Sequence, residues 1–420
     1  MGQSQCFAKG FKGNNLRISG KSRAFSPAFA LPALCYTQPM NLRIIDDITQ
    51  LAAADWNALE GTDNPFLRHE FLAALEQSGC VSPNHGWQPR HLALYDDHQS
   101  LIGAAPLFLK SHSWGEYIFD WAWANAYMRA GLDYYPKLTG AIPFTPATGN
   151  RLLVLAGHDQ SWVREQLSAA AIELATLHNA SSLHWLFTTE EEKHQLAGHG
   201  LLPRSSFQFH WSNNDYTCFD DFLSGMTSRK RKKVRRERRY VSDAGIEMHR
   251  VPGEACTTAD WDRFYRFYRR TIMIHGASAY LNREFFEQLG ATMPGNVHLL
   301  FARDQGNTVA GALFLEGGDT LYGRYWGSDD DYHSLHFETC YYSPIEYCIN
   351  TGLRRFEAGA QGRHKLARGF LPSPTHSAHW VREPQFRQAI ADYLKYESQG
   401  VSEEISELGQ DSPFRHQQPG

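Results

Sequence analysis

The 420-residue chain is 42% hydrophobic, 13% aromatic and 20% charged, with 41 Lys and Arg against 45 Asp and Glu and a net charge of −4. That balance excludes a wholly basic nucleic-acid binder and a disordered polyelectrolyte, and the length exceeds one typical core, so two domains are expected. There is no run of ~18 apolar residues to span a membrane, and seven scattered cysteines without a CxxC read as reduced cytoplasmic thiols, not as a disulfide framework or zinc site.

Residues 1–39 carry five Lys or Arg, no acid, and many Ser, Gly and Pro. Pro27 and Pro32 break the apolar stretch that a secretory signal needs, while a transit-type leader fits the composition. The plainer expectation is an extension without a role in the fold, with folding beginning near Met40, itself a candidate start. A strand "NLRIID" opens the first half, followed by a helix around "ITQLAAADWNALE". In "NPFLRHEFLAALEQSG", Phe66, Phe71, Leu72 and Leu75 form an apolar helical stripe, with Asn64 as cap and Pro65 at the first helical position. "HLALYDDHQSLIGAAPLFLK" reads as strand, polar turn, strand.

From Gly131 to Arg151 the prolines at 136, 143 and 146 exclude a helix. So long an irregular segment is usually functional or disordered, and Tyr134, Tyr135 and Phe144 argue against disorder. Tyr135, Lys137 and Arg151 therefore read as cleft-lining, substrate-binding residues, with a packed surface loop as the alternative. A helix in "SWVREQLSAAAIELATLHNA" and a strand in "SSLHWLF" close this half, placed at residues 40–224.

"SRKRKKVRRERRY" follows at residues 228–240. Nine of the eleven residues from Arg229 to Arg239 are basic and one, Glu237, is acidic. A helix here turns Met226, Val234 and Val241 to one narrow face and the charges outward. Like charges at i,i+4 repel, so the helix needs packing or an anionic ligand. Its apolar face is too thin for membrane insertion, and no reading helix accompanies it for duplex DNA. Two readings stay open: a solvated helix paired with acids elsewhere, or a phosphate site in which Arg231 and Arg235, one turn apart, grip a diphosphate.

The second half, residues 225–400, repeats the order of the first: strand "GIEMHRV", helices "DWDRFYRFYRRT" and "NREFFEQLGATM", hairpin "HLLFARDQGNTVAGALFLEGGD". The repetition suggests an internal duplication. The hairpins at 91–109 and 298–315 are expected at equivalent places in two superposable mixed sheets flanked by helices, an α/β class. A helix in "HFETCYYSPIEYCINTG", closed by Gly352, precedes the strand "LRRFEAGA", and residues 401–420 read as a disordered tail.

Glu357 lies on that strand, either buried or facing a cleft at its end. Burial raises a carboxyl's pKa and suits a general base for an ammonium nucleophile; an ion pair with Arg354, Arg355 or Arg368 is the alternative. The histidines at 333, 336, 376 and 379, with Glu338, match no HExxH pattern, and no metal is expected. His364 reads as a cleft hydrogen-bonding or packing residue.

The stretch "YGRYWGSDDDYHSLHFETCYYSPIEYCINTGLRRFEAGAQGRHKLARGF" resembles the second domain of FemAB-like acyltransferases, tandem-repeat members of the GNAT N-acyltransferase superfamily. The Ser-led basic helix followed by Gly245 and a strand matches the start of that domain. Aromatic stretches such as "GEYIFDWAWANAYMRAGLDYYPKL" are similar to the subgroup described as predicted N-acyltransferases linked to peptidoglycan biosynthesis. The resemblance implies two GNAT-like domains and transfer of an acyl or aminoacyl group to a primary amine. It implies that Lys365 is catalytic, stabilising the oxyanion, alongside Glu357, read above as the general base, with His364 and Arg368 beside Lys365 as substrate-binding residues. It also implies that the basic helix borders a cleft for a small-molecule or lipid-linked cell-wall precursor, or a tRNA end. The co-substrate is acyl-CoA or aminoacyl-tRNA, but the pyrophosphate-binding loop of acetyl-CoA enzymes is absent: "GSDDDYHSLHF" stands in its place. No cofactor is firmly implied, and no DNA partner. A non-catalytic module that recognises a phosphate-rich ligand is the alternative.

Overall fold

The computed structural model describes residues 41–360 and 362–415; the extension expected at 1–39 lies outside the described residues. Among the described residues there are fifteen strands: β1 (Asn41–Ile45), β2 (Trp87–Pro89), β3 (His91–Tyr95), β4 (Leu101–Ala105), β5 (Leu107–Lys110), β6 (Lys137–Gly140), β7 (Leu153–Val154), β8 (Ser182–Thr188), β9 (Leu202–Ser212), β10 (Ile246–Pro252), β11 (Val297–Asp304), β12 (Asn307–Gly317), β13 (Thr320–Ser328), β14 (Arg355–Glu357) and β15 (Leu371–Val381). Four form a small sheet, β1-β3-β4-β7. The others form one mixed sheet of eleven, β10-β11-β12-β13-β14-β9-β15-β8-β6-β5-β2.

Both predicted hairpins form, β3–β4 and β11–β12, each antiparallel and each beside the strand that opens its half. Pro106 divides the second strand of the first hairpin, since it supplies no N–H to a ladder. Leu101–Ala105 pairs with β3, and Leu107–Lys110 turns away to β2 and β6.

The expectation of two separate sheets, divided near residue 225, is corrected. The last strand of each half crosses over: β9 lies between β14 and β15, and β15 between β9 and β8. Outward from this central pair the order mirrors itself. Each side has an antiparallel step and then a parallel one, β14 with β13 and β8 with β6. The central strands also repeat in sequence. Both are 11 residues long and begin Leu-Pro, at Leu202-Pro203 and Leu371-Pro372, and both carry His-Trp, at His210-Trp211 and His379-Trp380. In the register Leu371 faces His210 and His379 faces Leu202.

The core also spans the halves. Phe66, Phe71, Leu72 and Leu75, the stripe read from sequence, pack in one cluster with Trp261, Phe264, Phe285 and Phe286. Phe71 meets Phe285 edge-on at 5.7 Å. The described residues form one compact unit.

Local expectations fare well. The Asn64 side chain accepts from the Phe66 amide, capping a short 3₁₀ turn (Pro65–Leu67) before the helix His69–Gln77. Gly352 ends the helix Ser343–Thr351 with φ 77°, the left-handed conformation that glycine adopts freely. The basic run is a helix, Ser228–Asp243, burying Val234, Glu237 and Val241. The expected tail is corrected: helix Pro384–Gln410 runs through residues 401–410. Leu408 and Phe414 join the cluster of Phe209, Phe222 and Phe356, and the Thr227 amide donates to Pro413 O at 2.9 Å. An apolar anchor holds what the polar composition suggested was loose. Residues 416–420 lie outside the described residues. No helix among the described residues is long and apolar enough to cross a membrane.

Candidate active site

Glu357 ends β14 at the centre of the large sheet, opposite Tyr322 on the parallel strand and His210 on the antiparallel one. It borders a small open cleft formed with Pro146, Ala147, Gln208, Tyr322, Gly323, Arg324 and Gly359. The carboxyl is buried and, among the described residues, accepts no hydrogen bond. Its neighbours stand off, Arg355 Nη1 at 3.9 Å and His210 Nδ1 at 3.9 Å. Burial outweighs the pull of Arg355 and Arg324 and pushes its pKa up to about 7. Of the alternatives read from sequence, close pairing with Arg354 or Arg368 does not occur, and Arg355 reaches only to the edge of ion-pair range.

Lys365 sits in a short 3₁₀ segment, Arg363–Arg368. Its buried Nζ donates to Gly359 O at 2.6 Å, tying the turn to the rim of the Glu357 cleft. Burial lowers this lysine to about 8, against a small opposing effect from Cys340. His364 is exposed and pairs through Nε2 with the Tyr341 hydroxyl at 2.9 Å. Arg368 is not a free substrate ligand. Its buried guanidinium lies 3.4 Å from the Phe337 ring centre, donates to His364 O at 2.8 Å, and donates to both oxygens of Glu237 at 2.9 and 3.0 Å. Glu237 also accepts from the Tyr342 hydroxyl. The lone acid of the basic run thus bolts that helix to the turn carrying Lys365.

On the exposed face of the helix, Arg235 pairs with Asp220 at 2.9 Å. Arg231 is half-buried and has no acidic partner within 4 Å among the described residues. Arg238 pairs with Glu338 and Glu346, so part of the run's charge is matched by acids, as the solvated-helix reading expects.

The first-half candidates do not line this cleft. Tyr135 bonds through its hydroxyl to Ser113 Oγ at 2.9 Å. Lys137 is fully buried on β6, donating to Ser113 at 2.8 Å, Glu116 at 2.7 Å and Asp120; the two carboxylates hold its pKa up against burial. Arg151 is fully buried too, donating to the carbonyls of Ala147 at 2.7 Å and Leu186 at 2.8 Å. It braces the loop from which Pro146 and Ala147 reach the cleft. Both corrections have one cause: the partners, backbone carbonyls and the acids of 116–120, come from contacts invisible in the local sequence.

Sequence reasoning missed His210 and Gln208. The signal was present in the repeated Leu-Pro…His-Trp of the central strands. By strand pairing, His184 occupies on β8 the place of Glu357 on β14: it faces Thr139 on the parallel strand and His379 on the antiparallel one. There the site is closed. His184 Nδ1 meets His379 Nδ1 at 2.7 Å, and its Nε2 meets Ser182 Oγ at 2.7 Å and Tyr134 OH at 3.2 Å. Burial drives His184 down to about 3. Among the described residues no group of three His, Cys, Asp or Glu is placed to hold a metal.

No curated protein matches the chain. Among solved structures, the crystal structure of FemX aligns at 13% identity over 75% of this chain and 93% of its own, with a TM-score of 0.45. A tandem GNAT protein from the clavulanic acid biosynthesis pathway aligns at 11% identity over 82% and 98%, TM-score 0.42. The L-PGS structure from Bacillus licheniformis aligns at 8% identity over 77% and 96%, TM-score 0.47. These scores lie below 0.5, and the family assignment rests on sequence. The FemAB-like family model, described as peptidoglycan biosynthesis/recognition, matches residues 47–416, and the chain belongs to that family.

Proposed function

We propose that the chain is an N-acyltransferase that moves an acyl or aminoacyl group to a primary amine of a cell-wall precursor. In this reading two GNAT-like halves are merged by the exchange of β9 and β15, and the working site is the Glu357 cleft of the second. The observation that carries it is Glu357 itself: a buried carboxyl with no hydrogen-bond donor among the described residues, at a cleft, with its pKa near neutrality. Such a group takes a proton from an incoming ammonium and leaves a neutral amine to attack the donor carbonyl. The oxyanion that forms needs a fixed positive partner. Lys365, pinned by Gly359 O at the cleft rim, has two further N–H bonds to offer. Arg231 and Arg235, on the helix that Glu237 bolts to this turn, would meet the phosphates of a nucleotide-linked or lipid-linked acceptor, or of a tRNA end.

The donor is acyl-CoA or aminoacyl-tRNA, supplied to a cytoplasmic enzyme. The purified chain is offered each donor with amine acceptors, and product is read by mass spectrometry. Glu357→Gln should retain ligand binding and lose turnover ~100-fold or more. A second reading, a module that binds without chemistry, is favoured by the turn after β13. Asp329, Asp330 and Asp331 stand there, where a coenzyme pyrophosphate would need bare amides. Binding of a phosphate-rich ligand without product from either donor would select it.

A further inference from the structure

His210 lies beside Glu357 on the next strand, and the reaction as outlined makes no use of it. We propose that Gln208 locks His210 as its Nε2–H tautomer, and that the locked ring is a positioning residue whose bare Nδ1 strengthens Glu357 as a proton acceptor. The inference rests on the reading of Glu357 as the base.

The argument starts at Pro146. A proline carbonyl can only accept, and Gln208 Nε2 lies 2.9 Å from it. The amide must therefore present its NH₂ to Pro146 and its oxygen to His210 Nε2, 3.1 Å away. An amide oxygen also only accepts, so the imidazole proton sits on Nε2. A second ring proton is opposed by burial and by the charges of Arg355 and Lys365. Nδ1 is left with a lone pair, and it faces Glu357 Oε1 at 3.9 Å.

The groups facing Glu357 are Arg355 on its own strand, Arg324 and Tyr322 on β13, and His210 on β9. The two arginines favour the carboxylate. The Nδ1 lone pair, 3.9 Å from Oε1, opposes the carboxylate by charge across the gap, beyond hydrogen-bond reach. When an ammonium arrives, one N–H bond breaks and its proton moves to the carboxylate. The resulting carboxylic acid lies beside the bare Nδ1 with no charge for it to oppose, and the amine keeps its freed electron pair.

The mirrored half repeats the layout. Ser377, two residues before His379 as Gln208 is before His210, lies 2.9 Å from His379 Nε2. His379 Nδ1 then faces across the strand pair to His184. The pattern of polar residue, spacer and histidine recurs, but only on β9 does it face a carboxyl at a cleft.

The test is NMR of the full chain carrying ¹⁵N-histidine and ¹³C-glutamate, between pH 5 and 9 and without substrate, the His210 signals identified by their loss in His210→Phe. The proposal expects Nε2 protonated and Nδ1 bare at every pH. In Gln208→Met the ring is released to its Nδ1–H form, which turns a positive N–H edge toward the carboxylate in place of a lone pair, so the Glu357 midpoint should fall by about one pH unit. The acid limb of kcat/KM should move equally once a donor is known. A wild-type Nδ1–H tautomer, or a Glu357 midpoint unmoved in a folded Gln208→Met, overturns it. If that variant does not fold, the wild-type tautomer decides alone. The spectra need no turnover, so failure here is separate from failure of the acyl-transfer reading.

Discussion

Glu357→Gln should make this protein more stable at neutral pH, not less. The native carboxyl is buried with no hydrogen-bond donor among the described residues, and its pKa rises from 4.5 to about 7. The folded state therefore holds a proton that the unfolded state has released across this window, and stability falls as pH rises through it. At about 1.4 kcal/mol per unit, the loss between pH 4.5 and 7 is roughly 3 kcal/mol, flat above. Glutamine has no charge to desolvate, and the bare Nδ1 of His210, 3.9 Å away, stands ready to accept from its amide. Urea midpoints for both proteins from pH 4 to 9 give the assay. The two curves should meet near pH 4.5, with the variant ahead by roughly 2–3 kcal/mol at pH 8. Parallel curves across the whole range would refute the reasoning, because they would mean that Glu357 titrates alike in the folded and unfolded chain.

Glu237→Ala leaves the Arg368 guanidinium buried without its carboxylate and should cost ~3–5 kcal/mol in urea unfolding. The paired replacement Glu237→Leu with Arg368→Met should recover most of that loss. Arg231→Ala with Arg235→Ala should weaken binding of a phosphate-bearing ligand ~10-fold or more per residue and flatten its salt dependence, with folding nearly unchanged; a purely solvated face would show unchanged affinity and a raised melting temperature. A chain ending at residue 400 loses the buried Leu408 and the Phe414 contact with Phe222, and should lose ~2 kcal/mol or more of stability in the same unfolding assay.

What was legible in the sequence was local. The hairpins, the Asn64 cap and the Gly352 stop follow from periodicity and backbone chemistry within a few residues. The exchange of β9 and β15 was not, because a strand's partner is chosen by the whole sheet. Lys137 and Arg151 were misread for a related reason. A proline-broken segment reads as surface, yet Glu116, Asp120 and two backbone carbonyls draw both cations inside. Glu237 could have been found. Its place between Val234 and Val241 puts it on the buried face at helical spacing, so the one acid in a basic run was a contact and not an accident of composition. Glu357 itself was legible as a buried acid; the tautomer of its neighbour needed Pro146 and Gln208 in space.

The central claim is that the Glu357 cleft removes a proton from an amine during acyl transfer. The most direct measurement is turnover of the wild-type chain and of Glu357→Gln, with acyl-CoA and with aminoacyl-tRNA, beside calorimetric binding of the same acceptor to both. The account predicts product from one donor with the wild type, a ~100-fold or greater loss in the variant, and unchanged acceptor affinity. Full turnover by Glu357→Gln, or acceptor binding with no product from either donor, would contradict it.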